Sequence, residues 1–284
     1  MTLKEIKKIL KERNIRPSRR LGQNFLISEA ILRKIIQTAD LSKDDIILEI
    51  GPGIGSLTLE LAKKAKRIVA IEKDSKMCEI LKDTTKSFAN ITVIQKDILK
   101  IKDYELFKIL KIKNSYKIIA NLPYYITSPS IRKFLENENP PKEMILMVQK
   151  EVAQRIYAKP PDMNILAVSV QFYASPEVVS YVSKKAFWPE PKVDSAIIRI
   201  AKINSDKKID IQKFFKIVKA GFSQPRKQLV NNLSHMLKYN KKEIETYLLK
   251  NNIQPIQRAE TLSLEDWLNL AKSFKWKKKN QKKR

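Results

Sequence analysis

The chain has 284 residues, 43% of them hydrophobic, which suffices for one large domain with a sizeable core and a second, small one. Its 57 basic and 30 acidic side chains give a formal charge of +27, which favours a polyanionic partner held in a salt-sensitive way. A single cysteine, Cys78, excludes a disulfide framework and a cysteine-based zinc site, so no metal is expected, and a single histidine, His235, leaves Ser-His-Asp chemistry without support. No apolar run is long enough to span a bilayer, so no membrane contact and a cytoplasmic location are expected.

In chain order, Met1–Leu10 is charged and amphipathic, and basic residues gather between Lys4 and Arg20. A helix is predicted over Ala30–Ile36. Ile46–Ile50 is a short apolar strand, followed at once by Gly51-Pro-Gly-Ile-Gly55 and by the helical pattern Ser56–Ala62, so strand, glycine loop and helix come in the order a cofactor crevice requires. Three of the five glycines, Gly51, Gly53 and Gly55, fall in this loop, where backbone can approach a ligand closely. The next strand, Arg67–Ile71, leads into Glu72, 21 residues after Gly51 and placed to bond ribose hydroxyls. The glycines read GxGxG rather than GxGxxG, and no Lys-Ser/Thr pair follows, so neither a dinucleotide nor a triphosphate is indicated; S-adenosylmethionine, which has no phosphate, fits better. Cys78 is expected in the following helix as a small buried hydrophobe. Asp97, just after the strand Ile91–Gln95, is either the acceptor for the cofactor's adenine amine or a plain loop acid.

The strand Tyr116–Ala120 runs into Asn121-Leu122-Pro123-Tyr124. An exocyclic adenine amine is a weak nucleophile whose two protons must be held before its lone pair can attack a methyl donor. The Asn121 side-chain carbonyl can accept one proton, and the Leu122 backbone carbonyl the other once Pro123 has fixed the chain direction. Tyr124 offers a flat face, and stacking on an aromatic ring is worth about 1–3 kcal/mol per base. The bland alternative is an ordinary strand-end turn. Glycine loop, Glu72, Asp97 and Asn121 thus end four successive strands, and open parallel sheets bind ligands at the carboxyl ends of their strands.

Further strands are predicted at Met144–Val148, Leu166–Val170 and Ala196–Ile200, giving residues 1–203 the alternation of an α/β, Rossmann-like sheet with helices on both faces. Ile203–Ile209 reads as a linker, and residues 204–284 as a small all-helical domain with helices over Phe214–Ala220, Lys242–Leu249 and Leu264–Ala271. Ser263 with Asp266 resembles a capping box. Gln224–Gln228 is a basic loop, facing RNA or simply solvated, and the tail Lys275–Arg284 either contacts RNA or keeps the chain soluble.

Five strings, Leu21–Leu26, Glu49–Thr58, Asn121–Ser128, Phe187–Ser195 and Arg258–Asp266, resemble the KsgA (RsmA) family of small-subunit rRNA adenine dimethyltransferases, and the resemblance covers almost the whole chain. It implies S-adenosylmethionine as methyl donor and transfer of two methyl groups to each of two adjacent adenosines in a hairpin loop near the 3′ end of 16S rRNA, within the immature 30S subunit. It also implies cofactor contacts at Asn24, Leu26, Gly51, Glu72, Asp97 and Asn121, and a base stacked between Tyr124 and Phe187. A monomer is expected. Two rivals remain: an Erm-type 23S rRNA methyltransferase, against which Leu122 and the Arg258–Asp266 string argue, and a non-catalytic assembly factor, against which the intact Gly51 loop, Glu72, Asp97 and Asn121 argue.

Overall fold

The structure, a computed structural model, describes residues 1–18, 20–110, 115–204 and 209–276. The chain divides into two compact units, Met1–Tyr157 with Tyr173–Ser205, and Ala158–Phe172 with Asp206–Arg284. Arg19 of the N-terminal basic run, residues 205–208 of the expected linker and residues 277–284 of the basic tail lie outside the described residues. Among those described, no helix is long and apolar enough to cross a membrane.

The larger unit contains α1 (Leu3–Glu12), β1 (Phe25–Leu26), α2 (Glu29–Ala39), β2 (Ile46–Ile50), α3 (Ser56–Ala62), β3 (Arg67–Glu72), α4 (Ser75–Thr85), β4 (Ile91–Gln95), α5 (Asp103–Leu110), β5 (Lys117–Asn121), α6 (Thr127–Leu135), β6 (Glu143–Gln149) and α7 (Lys150–Tyr157). After α8 (Ile165–Tyr173) it resumes with β7 (Ser175–Val182), β8 (Phe187–Trp188) and β9 (Ser195–Ala201). Seven strands form one sheet in the order β4-β3-β2-β5-β6-β9-β7. The first five are parallel, and β9 lies antiparallel between β6 and β7. Their β-branched, apolar runs suit a sheet covered on both faces. Ile47, Ile119, Ile145 and Met147 pack with Leu32 and Ile35 of α2 and Leu57 and Leu61 of α3. The alternate residues Leu48, Ile118, Leu146 and Ile198, which point the other way, are equally buried. Cys78 is buried on α4, and burial together with the Glu72 charge pushes its thiol up to about 11.

One predicted strand is a helix. Leu166–Val170 lies in α8, whose N-terminus is held by Asn164 Oδ1 accepting from Leu166 N and Ala167 N, each at 3.0 Å. Apart from Ser169 and Gln171 the segment is an unbroken apolar run, and such a run carries no period to separate buried helix from buried strand. Residues 158–172, expected in the larger domain, belong to the smaller unit with α9 (Ile211–Gly221), α10 (Leu229–Leu237), α11 (Lys241–Lys250) and α12 (Leu264–Ser273). There Phe172 stacks on Phe214 with ring centroids 4.3 Å apart. Trp267 is fully buried against Gly221, where a Cβ would come within 2.3 Å of the indole. The Ser263–Asp266 capping box is present at the start of α12.

Two buried charged groups set the energetics of the sheet. Lys117, 5% exposed at the start of β5, has its ammonium 3.1 Å from Glu143 and 3.3 Å from Asp45 and donates to the carbonyls of Ala39 and Asp40. Removing one partner of a buried pair costs about 3–5 kcal/mol because the remaining charge is stranded, whereas an exposed pair such as Lys8–Glu12 contributes at most about 1 kcal/mol. Lys117→Ala is therefore expected to lower the urea midpoint far more than Lys8→Ala, and equal effects would contradict this. On β2, Glu49 is 1% exposed, and burial pushes its carboxyl up to about 8, with the Thr58 hydroxyl opposing and the Glu72 charge adding to the rise. An acid whose folded pKa exceeds its unfolded one holds an extra proton when folded, so stability falls as pH climbs from about 4.5 towards about 8. Glu49→Gln should gain on the unsubstituted chain across that window, by on the order of 4 kcal/mol at pH 8. Denaturant unfolding at pH 5 and pH 8 checks it, and a pH-independent difference would contradict it.

Candidate functional site

The strand order β4-β3-β2-β5 brings the four expected motifs side by side at the carboxyl edge of the sheet. Gly51 N donates to Ile71 O and Lys96 N to Glu72 O, each at 2.9 Å, so the strand tips are pinned to their neighbours just where the loops leave. Gly51 has φ +66°, and a Cβ there would stand 3.1 Å from Pro123 Cδ. The glycine loop and the Asn-Leu-Pro-Tyr turn therefore touch. Asn24, Leu26, Gly51, Gly53, Glu72, Asp97, Asn121, Leu122, Pro123, Tyr124 and Phe187 all line one cavity. Gly55 does not. It turns at φ +93° to start α3, and a Cβ there would stand 2.7 Å from Leu81, so it packs against α4 outside this cavity's lining.

Glu72 organises the loop. Its Oε2 accepts from Gly53 N at 3.1 Å, and its Oε1 accepts from Lys73 N at 2.8 Å and Asp74 N at 2.9 Å. A carboxylate offers about four acceptor positions, so these three bonds leave one free for a ligand hydroxyl. Burial raises the Glu72 pKa above the ordinary value, with the three backbone donors opposing. Asp97 accepts from Leu99 N at 3.1 Å and pairs with Lys73 Nζ at 3.0 Å. Partial burial pushes its carboxyl up, but Lys73 and the Leu99 N–H more than offset this and hold it below the ordinary range, so it stands ionised.

The base side is equally determined. Asn121 Nδ2 donates to Asn24 O at 3.3 Å. Because that partner is a carbonyl, the amide orientation follows, and Oδ1 is turned away from Asn24. Leu122 N donates to Met147 O at 3.2 Å. Pro123, at φ −55° and ψ 131°, starts a single 3-10 turn over Tyr124–Ile126. The Tyr124 hydroxyl lies 2.9 Å from Ser195 Oγ. Burial raises the phenol's pKa, with the Ser195 hydroxyl opposing and the Asp194 charge adding to the rise. Phe187 is 3% exposed and joins Leu26 in the core cluster. The two are partners in a two-stranded ribbon, β1 with β8, that the sequence reading missed because two-residue strands have no period.

Other cavity residues were also missed. Glu49 Oε2 and Ser56 Oγ are buried without a hydrogen-bond partner, and both residues line the cavity. Buried polar atoms are seldom left unpaired, so these two residues of the cavity wall carry unused hydrogen-bonding capacity. A carboxyl directly before the glycine loop, inside an otherwise apolar strand, was the signal in the sequence. Tyr125, 51% exposed, lines the same cavity. Glu49, Glu72 and Asp97 line the cavity together with Lys73 and Lys96, and no basic residue lies between Gly51 and Ser56, so the glycine loop itself offers no cation to hold a phosphate. Among the described residues no group of three or more His, Cys, Asp or Glu is arranged to hold a metal ion.

Comparison with known proteins agrees with this geometry. Residues 14–275 match the sequence profile of the family described as ribosomal RNA adenine dimethylase. The chain is 43% identical over 265 residues to a ribosomal RNA small subunit methyltransferase A of Dehalococcoides mccartyi, covering 93% of this chain and 90% of that one. It is 42% identical to the protein of the same name from Clostridioides difficile, with 92% of each chain covered. Among solved structures, a dimethyladenosine transferase from Plasmodium falciparum aligns with TM-score 0.73 and 28% identity over 87% of this chain and 95% of that one. The 23S rRNA methyltransferase ErmE aligns with TM-score 0.70 and 25% identity over 88% and 98%. Matched by that family's profile over residues 14–275 and 43% identical to a relative over 93% of its length, the chain belongs to the ribosomal RNA adenine dimethylase family.

Proposed function

We propose that the protein is an S-adenosylmethionine-dependent adenine N6,N6-dimethyltransferase acting in the cytoplasm on 16S rRNA of the immature 30S subunit, at two adjacent adenosines in the hairpin loop near its 3′ end. The observation that carries this is the contact of Pro123 with Gly51, which makes the adenine-type turn and the cofactor-type loop two walls of one cavity. S-adenosylmethionine, when bound, supplies an electrophilic methyl group on a sulfonium. Glu72 has one acceptor position left for a ribose hydroxyl, Asp97 is ionised to receive an adenine amine, and the Glu49 and Ser56 orphans can take the polar methionine end. On the other wall, Asn121 Oδ1 and the Leu122 carbonyl accept the two protons of the target amine, which aims its lone pair at the donor. The rate then comes chiefly from positioning, and no strong base is required. Once methylated the nitrogen is far more acidic and gives its proton to water or a nearby acceptor, restoring a neutral amine for the second round.

The sign of the charge fits the substrate, since a net charge of +27 draws RNA towards the protein. The 42–43% identity to proteins named small subunit methyltransferases supports small-subunit rRNA as the substrate. In an assay of labelled methyl transfer to under-methylated 30S particles, Asn121→Ala is expected to lose on the order of 10²–10³-fold in rate, the cost of one preorganised hydrogen-bonding group. Full transfer by that variant would remove Asn121 from the mechanism, and no transfer by the unsubstituted protein would favour an assembly factor.

A further inference from the structure

The two aromatic residues of the base wall are joined by a single excursion of chain. It leaves the seven-stranded sheet after Val182, passes through Phe187, whose strand partner is Leu26, and returns at Ser195, the first residue of β9. Ser195 is fully buried and is held on both sides, paired with Gln149 of β6 and with Val182 of β7. The preceding residue is fixed as well, because Asp194 O accepts from Lys150 N at 2.9 Å and Asp194 Oδ1 from Lys184 N at 3.0 Å. Tyr124 opens the 3-10 turn that leads directly into α6, at the surface end of that segment, where the next residue, Tyr125, is 51% exposed. The 2.9 Å bond between the Tyr124 hydroxyl and Ser195 Oγ therefore ties the far end of a ring on a short turn to one of the most constrained positions of the sheet.

Resting on the function proposed above, we propose that Ser195 is a positioning residue: its buried hydroxyl holds the Tyr124 ring at the angle at which the target adenine stacks. With its hydroxyl bonded to Ser195 Oγ, Tyr124 acts on the base through its face, and the hydroxyl serves as the anchor. That explains what a tyrosine offers here beyond a phenylalanine. A ring left free to rotate about its side-chain torsions would still cover the cavity but would present its face to the base for only part of the time.

The test is a double-mutant cycle with Ser195→Ala, Tyr124→Phe and the pair, in the full-length protein, read as single-turnover methyl transfer to under-methylated 30S particles. Either substitution removes the same hydrogen bond, so each single variant is expected to slow transfer by about 3- to 10-fold with the KM for cofactor unchanged, and the double variant to be no slower than either single. Tyrosine labelled with ¹³C at Cζ gives a second reading in the free protein: Ser195→Ala should shift the Tyr124 signal and speed its ring flipping. Multiplying rate losses in the cycle, or a Tyr124 signal indifferent to Ser195→Ala, would overturn the inference. Failure of the unsubstituted protein to methylate 30S particles would instead strike the proposed function, and the labelled-tyrosine measurement would still decide the role of Ser195.

Discussion

The site depends on one close packing, that of the Pro123 ring against the bare α-carbon of Gly51. A side chain at 51 would meet Pro123 at 3.1 Å in a left-handed conformation that L-residues adopt at a cost. Removing that contact would separate the turn carrying Asn121 from the loop that Glu72 organises through Gly53 N. Asn24 closes the arrangement from the N-terminal side, its carbonyl fixing the Asn121 amide while the chain continues into Leu26 and the ribbon that carries Phe187. Glycine, proline and asparagine are each placed where no other side chain meets the same geometric demand.

Charge is distributed with equal economy. The chain is strongly basic, yet its cavity is lined by Glu49, Glu72 and Asp97, one neutralised by burial, one loaded with backbone donors and one paired with Lys73. Three acids so close would repel one another if all were ionised and unscreened. Their different environments keep Glu49 protonated near neutral pH while Asp97 stays charged, so the cavity offers both a donor and acceptors.

Most of this was legible in the sequence where the signal was local. Four of the five parallel strands, β2, β3, β4 and β5, are short apolar runs that lead into a glycine, an acid or Asn121, and the reading of a shared crevice follows from those ends. Elements whose identity is tertiary were not legible. The helix α8 read as a strand because a largely apolar segment has no preferred period, and the ribbon of β1 and β8 is too short to carry one. Gly55 looked like a ligand contact because it shares the loop with Gly51 and Gly53, but Leu81 occupies the space where its side chain would be. Glu49 hid among isoleucines. The Tyr124–Ser195 bond joins residues 71 apart, a distance no local pattern spans.

The measurement that bears most directly on the account is mass spectrometry of both ribosomal RNAs from cells with and without the gene. The account requires two adjacent dimethylated adenosines near the 3′ end of 16S rRNA that disappear when the gene is deleted and return with it, while 23S rRNA is unchanged. Dimethyladenosines that persist in 16S rRNA after deletion, or a loss confined to 23S rRNA, would contradict it.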